Sequence, residues 1–122
     1  MSQIQRVPST TTEDKGRRKV VEPVTASYVV DGQERYVRVP DGFEYKIGVS
    51  VRFGLVGLID IFAPTYALED VSCYHDWLYK NRDKHLFTRR EADAVMMADD
   101  RDPYVIRLLA WLIVRAVGWT VW

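Results

Sequence analysis

The feature that most constrains this fold is the stretch from Val24 to Val39, in which two strand-forming runs flank a tight-turn signal. Residues 24–30 and 36–39 are rich in β-branched and aromatic side chains. The dipeptide Asp31-Gly32 lies between them, and this pair is typical of a two-residue hairpin turn. The sequence therefore predicts an antiparallel hairpin around which the rest of the chain must pack.

The chain on either side of this hairpin has a different character. After it, residues 40–42 (PDG) supply a second turn signal, and residues 43–53 could form another strand pair broken at Gly48. Before it, residues 1–18 are rich in Ser, Thr and charge and can bury little apolar area. We predict a flexible arm over residues 1–18 and a single domain over residues 19–122.

The second half of the chain is predicted to be helical. Leu68, Val71, His75 and Leu78 recur at intervals of three, four and three, which places them on one helical face. Pro64 suits the first turn of that helix, because its missing N–H would have no partner there.

Two more helix starts follow. Thr88 and Glu91 have the spacing of a capping box, which opens a second helix. Asp102 followed by Pro103 predicts the N-cap and first residue of a third helix. Together these patterns predict the α+β class: a small antiparallel N-terminal sheet or hairpin, then three helices, with a flexible N-terminal arm.

The third helix, in residues 104–122, is the most apolar segment. Arg107 and Arg115 leave only residues 108–114 between charges, whereas a membrane span needs about 20 mostly apolar residues. We therefore expect no transmembrane segment, and a helix that is buried on several sides or docked on a partner. Gly118 is a stop signal for this helix, and Trp119 and Trp122 beyond it are residue types that interfaces use.

Composition excludes several classes of protein. The 17 basic residues balance 17 acidic residues, so no overall field favours nucleic acid or anionic lipid, and no specific nucleic-acid binding is expected. A local basic run contains Arg17 and Arg18, which are either part of a solvated arm or a partner contact. Cys73 is the only cysteine, so no internal disulfide can form, and we expect an inert packed thiol. The polar N-terminus predicts no signal peptide.

The stretch CYHDWLY, residues 73–79, places a histidine and an aspartate side by side within the apolar helical pattern. If the first two helices are antiparallel neighbours, Asp93 could meet both His75 and Tyr79. A carboxylate on one ring nitrogen would fix the tautomer of His75, and the other nitrogen could then take a proton from water. Asp76, rotated to another face, would be free to ligate a hard cation through oxygen. The same cluster is also an ordinary structural way to satisfy polar groups between helices, and the spacing alone favours this structural interpretation over catalysis.

Two resemblances involve these residues. Over residues 36–122, the succession of PDGFEY, HDWLY, TRREAD and an apolar C-terminal helix resembles a family of small phage and prophage proteins of unknown function. That family carries HD-x-L-Y followed by R-x-x-AD, which is matched here from His75 to Asp93. Its Asp-x-Ala-Ser-x-Pro-Arg stretch is only loosely met by KIGVSVRF, where Lys46 replaces the acid and the proline is missing. The resemblance implies a viral protein.

The second resemblance covers only the paired helices. HD-x-x-Y followed by a helix with an aspartate is similar to the catalytic helices of secreted phospholipase A2. It implies His75 as base, Asp76 as calcium ligand, and Tyr79 and Asp93 as the supporting network. The disulfides of those enzymes are missing here.

Two function classes follow. The first is a bacteriophage virion structural, assembly or interaction component, located in the virion or the host cytoplasm. It would dock on other virion proteins, with oligomerisation allowed, through Trp119, Trp122, Arg17 and Arg18. The alternative is a small hydrolase that acts on a lipid or cell-envelope ester, with His75 as general base.

Overall fold

The computed structural model describes residues 3–12, 17–46, 49–53, 57–62, 68–120 and 122. The predicted α+β class is confirmed, with antiparallel strands first and three helices after them. The strands in these ranges are β1 (Gln3–Ile4), β2 (Ser9–Thr11), β3 (Arg17–Val20), β4 (Val24–Val30), β5 (Gln33–Val39), β6 (Glu44–Lys46), β7 (Val49–Phe53) and β8 (Gly57–Phe62). The helices are α1 (Glu69–Lys80), α2 (Arg89–Ala94) and α3 (Tyr104–Val117), with 3₁₀ turns at Arg82–Lys84, Val95–Met97 and Gly118–Thr120.

The predicted hairpin is confirmed as the pair β4 and β5. The two strands pair from Val24 opposite Val39 to Val30 opposite Gln33. Asp31 and Gly32 have φ angles of 51° and 78°, the left-handed values that a tight hairpin turn requires at both central positions. This hairpin lies in the three-stranded sheet β1-β4-β5, beside a second sheet ordered β2-β3-β6 and the pair β7-β8.

The N-terminal segment, which composition predicts to be a flexible arm, carries two short strands in its described part. Strand β1 pairs with β4, and β2 pairs with β3. Helix α1 supplies partners for this segment: the Tyr74 hydroxyl lies 2.9 Å from the carbonyl oxygens of both Gln5 and Thr25. The Asp70 carboxylate accepts the Val7 N–H at 2.9 Å. The segment's backbone therefore pairs with β3 and β4, and two of its groups bind α1 residues more than 60 positions away.

Strands form on both sides of Gly48, but not as the pair that the sequence suggests. Strand β6 pairs with β3, and β7 pairs with β8. Gly42, with a φ of 86°, donates its N–H to the Val20 carbonyl oxygen at 2.7 Å, which aligns the chain with β3 as β6 begins. Gly48 itself lies outside the described residues.

The core is one continuous apolar cluster that joins the inner faces of the strands to the three helices. Its largest fully buried side chains come from both halves of the chain and are Tyr28, Tyr45, Leu68, Tyr74, Leu78 and Met96. Cys73 is buried in this cluster, and burial raises the pKa of its thiol, so the thiolate is strongly disfavoured. This agrees with the expectation of an inert packed cysteine.

The helix ends show one error in the sequence prediction. Asp102 is not the N-cap of α3, because Pro103 holds that position. The Asp102 carboxylate accepts the N–H of Leu68 at 3.2 Å instead, and Leu68 precedes α1 with a φ of 66°. The side chain that local spacing predicts as the N-cap of α3 is therefore used in a long-range hydrogen bond to Leu68. Pro64, the expected helix start, lies outside the described residues.

The other predicted helix boundaries are close to those observed. The capping box of Thr88 and Glu91 is present in full, and Gly118 is the C-cap of α3. Helix α2 is shorter than its apolar pattern suggests, since 3₁₀ geometry begins at Val95. Among the described helices, none has the length and apolar character that crossing a membrane demands.

Candidate functional site

The carboxylate of Asp93 connects all three helices, and its two oxygens have different partners. Asp93 lies on α2 and is fully buried. Its Oδ1 accepts a hydrogen bond from His75 Nε2 at 3.0 Å and another from the Tyr79 hydroxyl. The predicted meeting of His75, Tyr79 and Asp93 across two neighbouring helices is therefore present in the structure.

The second oxygen of Asp93 faces two guanidinium groups. Arg115 Nη1, from α3, lies 2.9 Å from Oδ2, and Arg89 Nη1, one helical turn before Asp93, lies 3.5 Å from it. Arg89 also donates to the carbonyl oxygens of Val114 and Arg115 at 3.0 and 3.3 Å, where α3 approaches its end. We call Asp93, His75, Tyr79, Arg89 and Arg115 the Asp93 cluster.

Local sequence explains how this cluster is positioned. His75 and Tyr79 are four residues apart on α1, so their rings stack with centroids 4.3 Å apart and face α2 together. The capping box starts α2 four residues before Asp93, and the Tyr28 hydroxyl donates to the Glu91 carbonyl oxygen at 2.8 Å, which ties α2 to the sheet.

Gly118 lets the end of α3 approach the cluster. A Cβ at this position would lie 2.6 Å from the Tyr79 hydroxyl oxygen and 3.2 Å from Arg89 Nη1, so no larger residue fits without displacement. The glycine is therefore required by close packing, whereas its backbone is in the ordinary right-handed helical region.

The electrostatics favour a Tyr79 hydroxyl that keeps its proton and donates a hydrogen bond to the Asp93 carboxylate. Burial raises the pKa of Tyr79, and its hydrogen bond to Asp93 raises the pKa further. The phenol therefore keeps its proton and acts as a donor. Both guanidinium groups compensate the buried negative charge of Asp93, which would otherwise be costly.

His75 is largely enclosed, with 8% of its surface exposed. Its Nε2 is committed to Asp93, which fixes the tautomer. Its Nδ1 has no hydrogen-bond partner among the residues that the structure describes. As far as the described ranges go, the ring keeps Nδ1 available as an acceptor, the arrangement that a histidine general base needs.

Asp76, the predicted calcium ligand, has a contact within the fold. Its Oδ2 accepts the backbone N–H of Lys46 at 3.1 Å, which fastens β6 to α1. Burial raises the pKa of the Asp76 carboxyl, while His75 and the Lys46 hydrogen bond act in the opposite direction. Within the described ranges, no group of three or more His, Cys, Asp or Glu side chains is placed to hold a metal ion.

The residues predicted to bind partners lie in different surroundings. Trp119 is 68% exposed, whereas Trp122 packs edge-on against Tyr79 with ring centroids 4.9 Å apart. Arg18 donates to the Ser9 hydroxyl and carbonyl oxygens at 2.7 and 3.1 Å, which joins β2 to β3. Arg17 lies in β3 opposite Lys46 of β6. Of the four, Trp119 is the one that the structure leaves most exposed on an apolar surface.

Helix α3 carries an exposed apolar surface that the sequence analysis did not identify. Along its outer side, Val105, Leu109 and Leu112 are 65%, 45% and 48% exposed, and Ala116 is exposed as well. Trp119, in the 3₁₀ turn that follows the helix, is 68% exposed. These five residues, separated by four, three, four and three positions, form one line that we call the α3 stripe. Their spacing was visible in the sequence, but apolar residues on the opposite side of the helix obscured it.

Sequence reasoning also missed Arg89 and Arg115 as members of the Asp93 cluster. One signal was available, because Arg115 lies within the most apolar segment of the chain and a charge that is partly buried there needs a compensating partner. A cavity of about 350 Å³ opens at β1, β4 and Tyr36, and none of its lining residues belongs to the cluster.

Comparisons with protein-family models, curated proteins and solved structures found no match for this chain. Its class is therefore defined by the fold and the site: an α+β domain whose helices share one buried carboxylate and whose C-terminal helix exposes an apolar stripe.

We predict that Asp93→Asn lowers the free energy of unfolding by about 3 kcal/mol, because removing one partner of a buried ion pair leaves the other uncompensated. Urea denaturation measures this change. The matched control is Asp31→Asn, which removes a carboxylate that pairs with Arg90 at the surface, where ion pairs contribute little. Equal effects of the two substitutions would show that the cluster does not hold the helices together.

We predict a pH-dependent gain in stability for Asp76→Asn. Folding raises the pKa of Asp76, so its contribution favours the folded state below the ordinary carboxyl pKa and is lost as the pH rises through the raised value. The amide can still accept the Lys46 N–H and carries no charge. Thermal unfolding should show Asp76→Asn at least as stable as the wild type at pH 7, with the difference shrinking in acid.

The contrasting variant is Asp76→Ala, which cannot accept the Lys46 N–H and should be less stable than Asp76→Asn at every pH. An Asp76→Asn protein that unfolds more easily than the wild type at pH 7 would contradict the assigned role.

Proposed function

We propose that this chain is a protein-interaction component, of the virion structural or assembly type, and that the α3 stripe is its contact surface. The observation that carries the proposal is the absence of charge along this exposed line of α3. A soluble domain rarely leaves a continuous apolar line on a helix exposed unless something covers it.

Both arginines of α3 are half-buried and bind groups of the chain itself. Arg115 binds Asp93, and Arg107 donates to the carbonyl oxygens of Asp102 and Met97 at 3.0 Å each. On the inner side, Ala110 and Val114 belong to the core. The helix is therefore apolar on two sides, a pattern typical of helices that are covered on both.

The Asp93 cluster has a clear role in this proposal, because it fixes α3 relative to α1 and α2. A rigid helix loses less conformational freedom on binding than a mobile one, so more of its apolar contact area contributes to affinity. Trp119 at the end of the stripe is the residue type that most often dominates binding energy at interfaces.

The resemblance to small phage and prophage proteins supports a viral setting. In that setting the partners are other virion proteins, and the location is the virion or the host cytoplasm. Trp122, Arg17 and Arg18 are less suited to be contact residues than Trp119, because Trp122 packs on Tyr79 and Arg18 binds Ser9. We therefore assign docking to the α3 stripe.

A second candidate function, a small hydrolase acting on a lipid or cell-envelope ester, is favoured by one observation. His75 has Nε2 on a buried carboxylate and Nδ1 without a partner among the described residues, as a general base requires. The resemblance to secreted phospholipase A2 implies Asp76 as the calcium ligand.

Two contacts make this second candidate the weaker one. The Asp93 carboxylate is shared with two guanidinium groups, so less of its field is available to stabilise a protonated His75 than in a pair without arginines. Asp76 meanwhile binds the Lys46 N–H.

For the interaction proposal, we expect Leu112→Ser to reduce incorporation into particles at least tenfold without changing the thermal transition, because the side chain is half exposed in the isolated chain. Quantitative immunoblotting of purified particles measures this. Leu86→Ser is the matched control, since Leu86 is 93% exposed in a loop outside the stripe. Unchanged incorporation of Leu112→Ser would count against the proposal.

For the hydrolase candidate, the expected result is calcium-stimulated release of fatty acid from phospholipid vesicles that His75→Ala abolishes. Circular dichroism of His75→Ala establishes whether the fold survives the loss of one donor to Asp93. Wild-type protein that releases no fatty acid with or without calcium eliminates this candidate.

A further inference from the structure

The geometry of the α3 stripe points to one occupant, and this inference rests on the interaction function proposed above. We propose that the stripe pairs with the α3 stripe of a second copy of this chain, with the two helices antiparallel. The alternating spacing of four and three positions has a mean period of 3.5 residues. A period of 3.5 residues keeps one line of side chains facing a partner helix along its whole length. It therefore favours a helix, rather than a flat surface, as the partner.

The stripe is complementary to itself when reversed. Its C-terminal end carries the large Trp119 next to the small Ala116, and its N-terminal end carries the medium-sized Val105. In a parallel pair Trp119 would face Trp119 and Ala116 would face Ala116, which crowds one layer and leaves a gap in the next. An antiparallel pair sets the bulky end of one helix against the slender end of the other, so the distance between helices stays even.

Charge is consistent with self-association. The chain has 17 basic and 17 acidic residues, so two copies carry no net repulsion. The stripe contains no charge that a partner would have to neutralise. Antiparallel helices also place the positive end of each helix dipole beside the negative end of the other.

A membrane surface fits the same stripe less well. Helices that lie on membranes flank their apolar side with lysine and arginine. In α3 the two basic residues, Arg107 and Arg115, are bound to carbonyl and carboxylate oxygens of the chain itself.

The stripe is short, which sets the expected strength of the pairing. From Val105 to Trp119 it spans about 21 Å at the ordinary helical rise of 1.5 Å per residue. A contact of this length belongs with small interfaces, which are weak and dynamic. The dimer should therefore dissociate on dilution, with half-dissociation in the micromolar range.

Sedimentation velocity of the full chain tests the pairing. Wild-type protein is expected to shift from monomer to dimer as its concentration rises from about 1 to about 200 μM, a range that brackets a weak interface. Leu112→Asp should remain monomeric throughout, whereas Leu86→Asp, with the same change outside the stripe, should dimerise like the wild type. A monomeric wild type at every concentration, or a dimer in Leu112→Asp, overturns the inference.

Cross-linking tests the orientation. Cys73 is fully buried, so an introduced cysteine is the reactive thiol in the described part of the chain. In an antiparallel pair the two copies of residue 105 lie at opposite ends, about 15 Å or more apart along the axis. Val105→Cys alone should therefore not cross-link with a short bis-maleimide, but its mixture with Ala116→Cys should. Cross-linking of Val105→Cys to itself contradicts the antiparallel arrangement.

Failure of the self-pairing can be separated from failure of the interaction function. If wild type stays monomeric while Leu112→Ser still blocks particle incorporation, the partner is another protein and only the self-pairing is overturned. If the wild type instead floats with neutral or anionic phospholipid vesicles and Leu112→Asp does not, a membrane is the occupant and the self-pairing is overturned as well.

Discussion

The buried carboxylate of Asp93 is the interaction on which the arrangement of the helices depends. A carboxylate without exposure to water would be far less stable than a hydrated one unless each oxygen had charged or polar donors. Here one oxygen takes its donors from α1 and the other from α2 and α3. Moving any one helix away would leave part of that charge uncompensated, so the helices are held as a set.

This arrangement also determines what α3 presents at the surface. Because Arg115 is held by Asp93 and Arg107 by carbonyl oxygens, neither arginine is available to make the outer side of the helix polar. Gly118 reinforces the same geometry, since only a glycine allows the end of α3 to lie against the Tyr79 hydroxyl. The internal contacts that stabilise the fold thus produce the exposed apolar stripe.

The features predictable from sequence are those in which the interacting residues are close along the chain or repeat with a helical period. The β4-β5 turn, the capping box at Thr88 and the shared face of His75 and Tyr79 belong to this group. Two contacts could not be predicted because their partners are distant along the chain. Asp102 binds the Leu68 N–H, and Tyr74 binds the N-terminal segment. Local propensity predicts Asp102 as the N-cap of α3. Its tertiary hydrogen bond to the Leu68 N–H outweighs that preference.

The same His–Asp–Tyr geometry can serve catalysis or packing, and the surrounding charges distinguish the two. In a catalytic pair the carboxylate stabilises the proton that the histidine gains, so its negative charge must be largely free for that purpose. In the Asp93 cluster two guanidinium groups already use this charge to hold α3. A carboxylate so engaged contributes more to fixing a helix than to driving proton transfer. For the interaction function that we propose, its consequence is a fixed orientation of the α3 stripe.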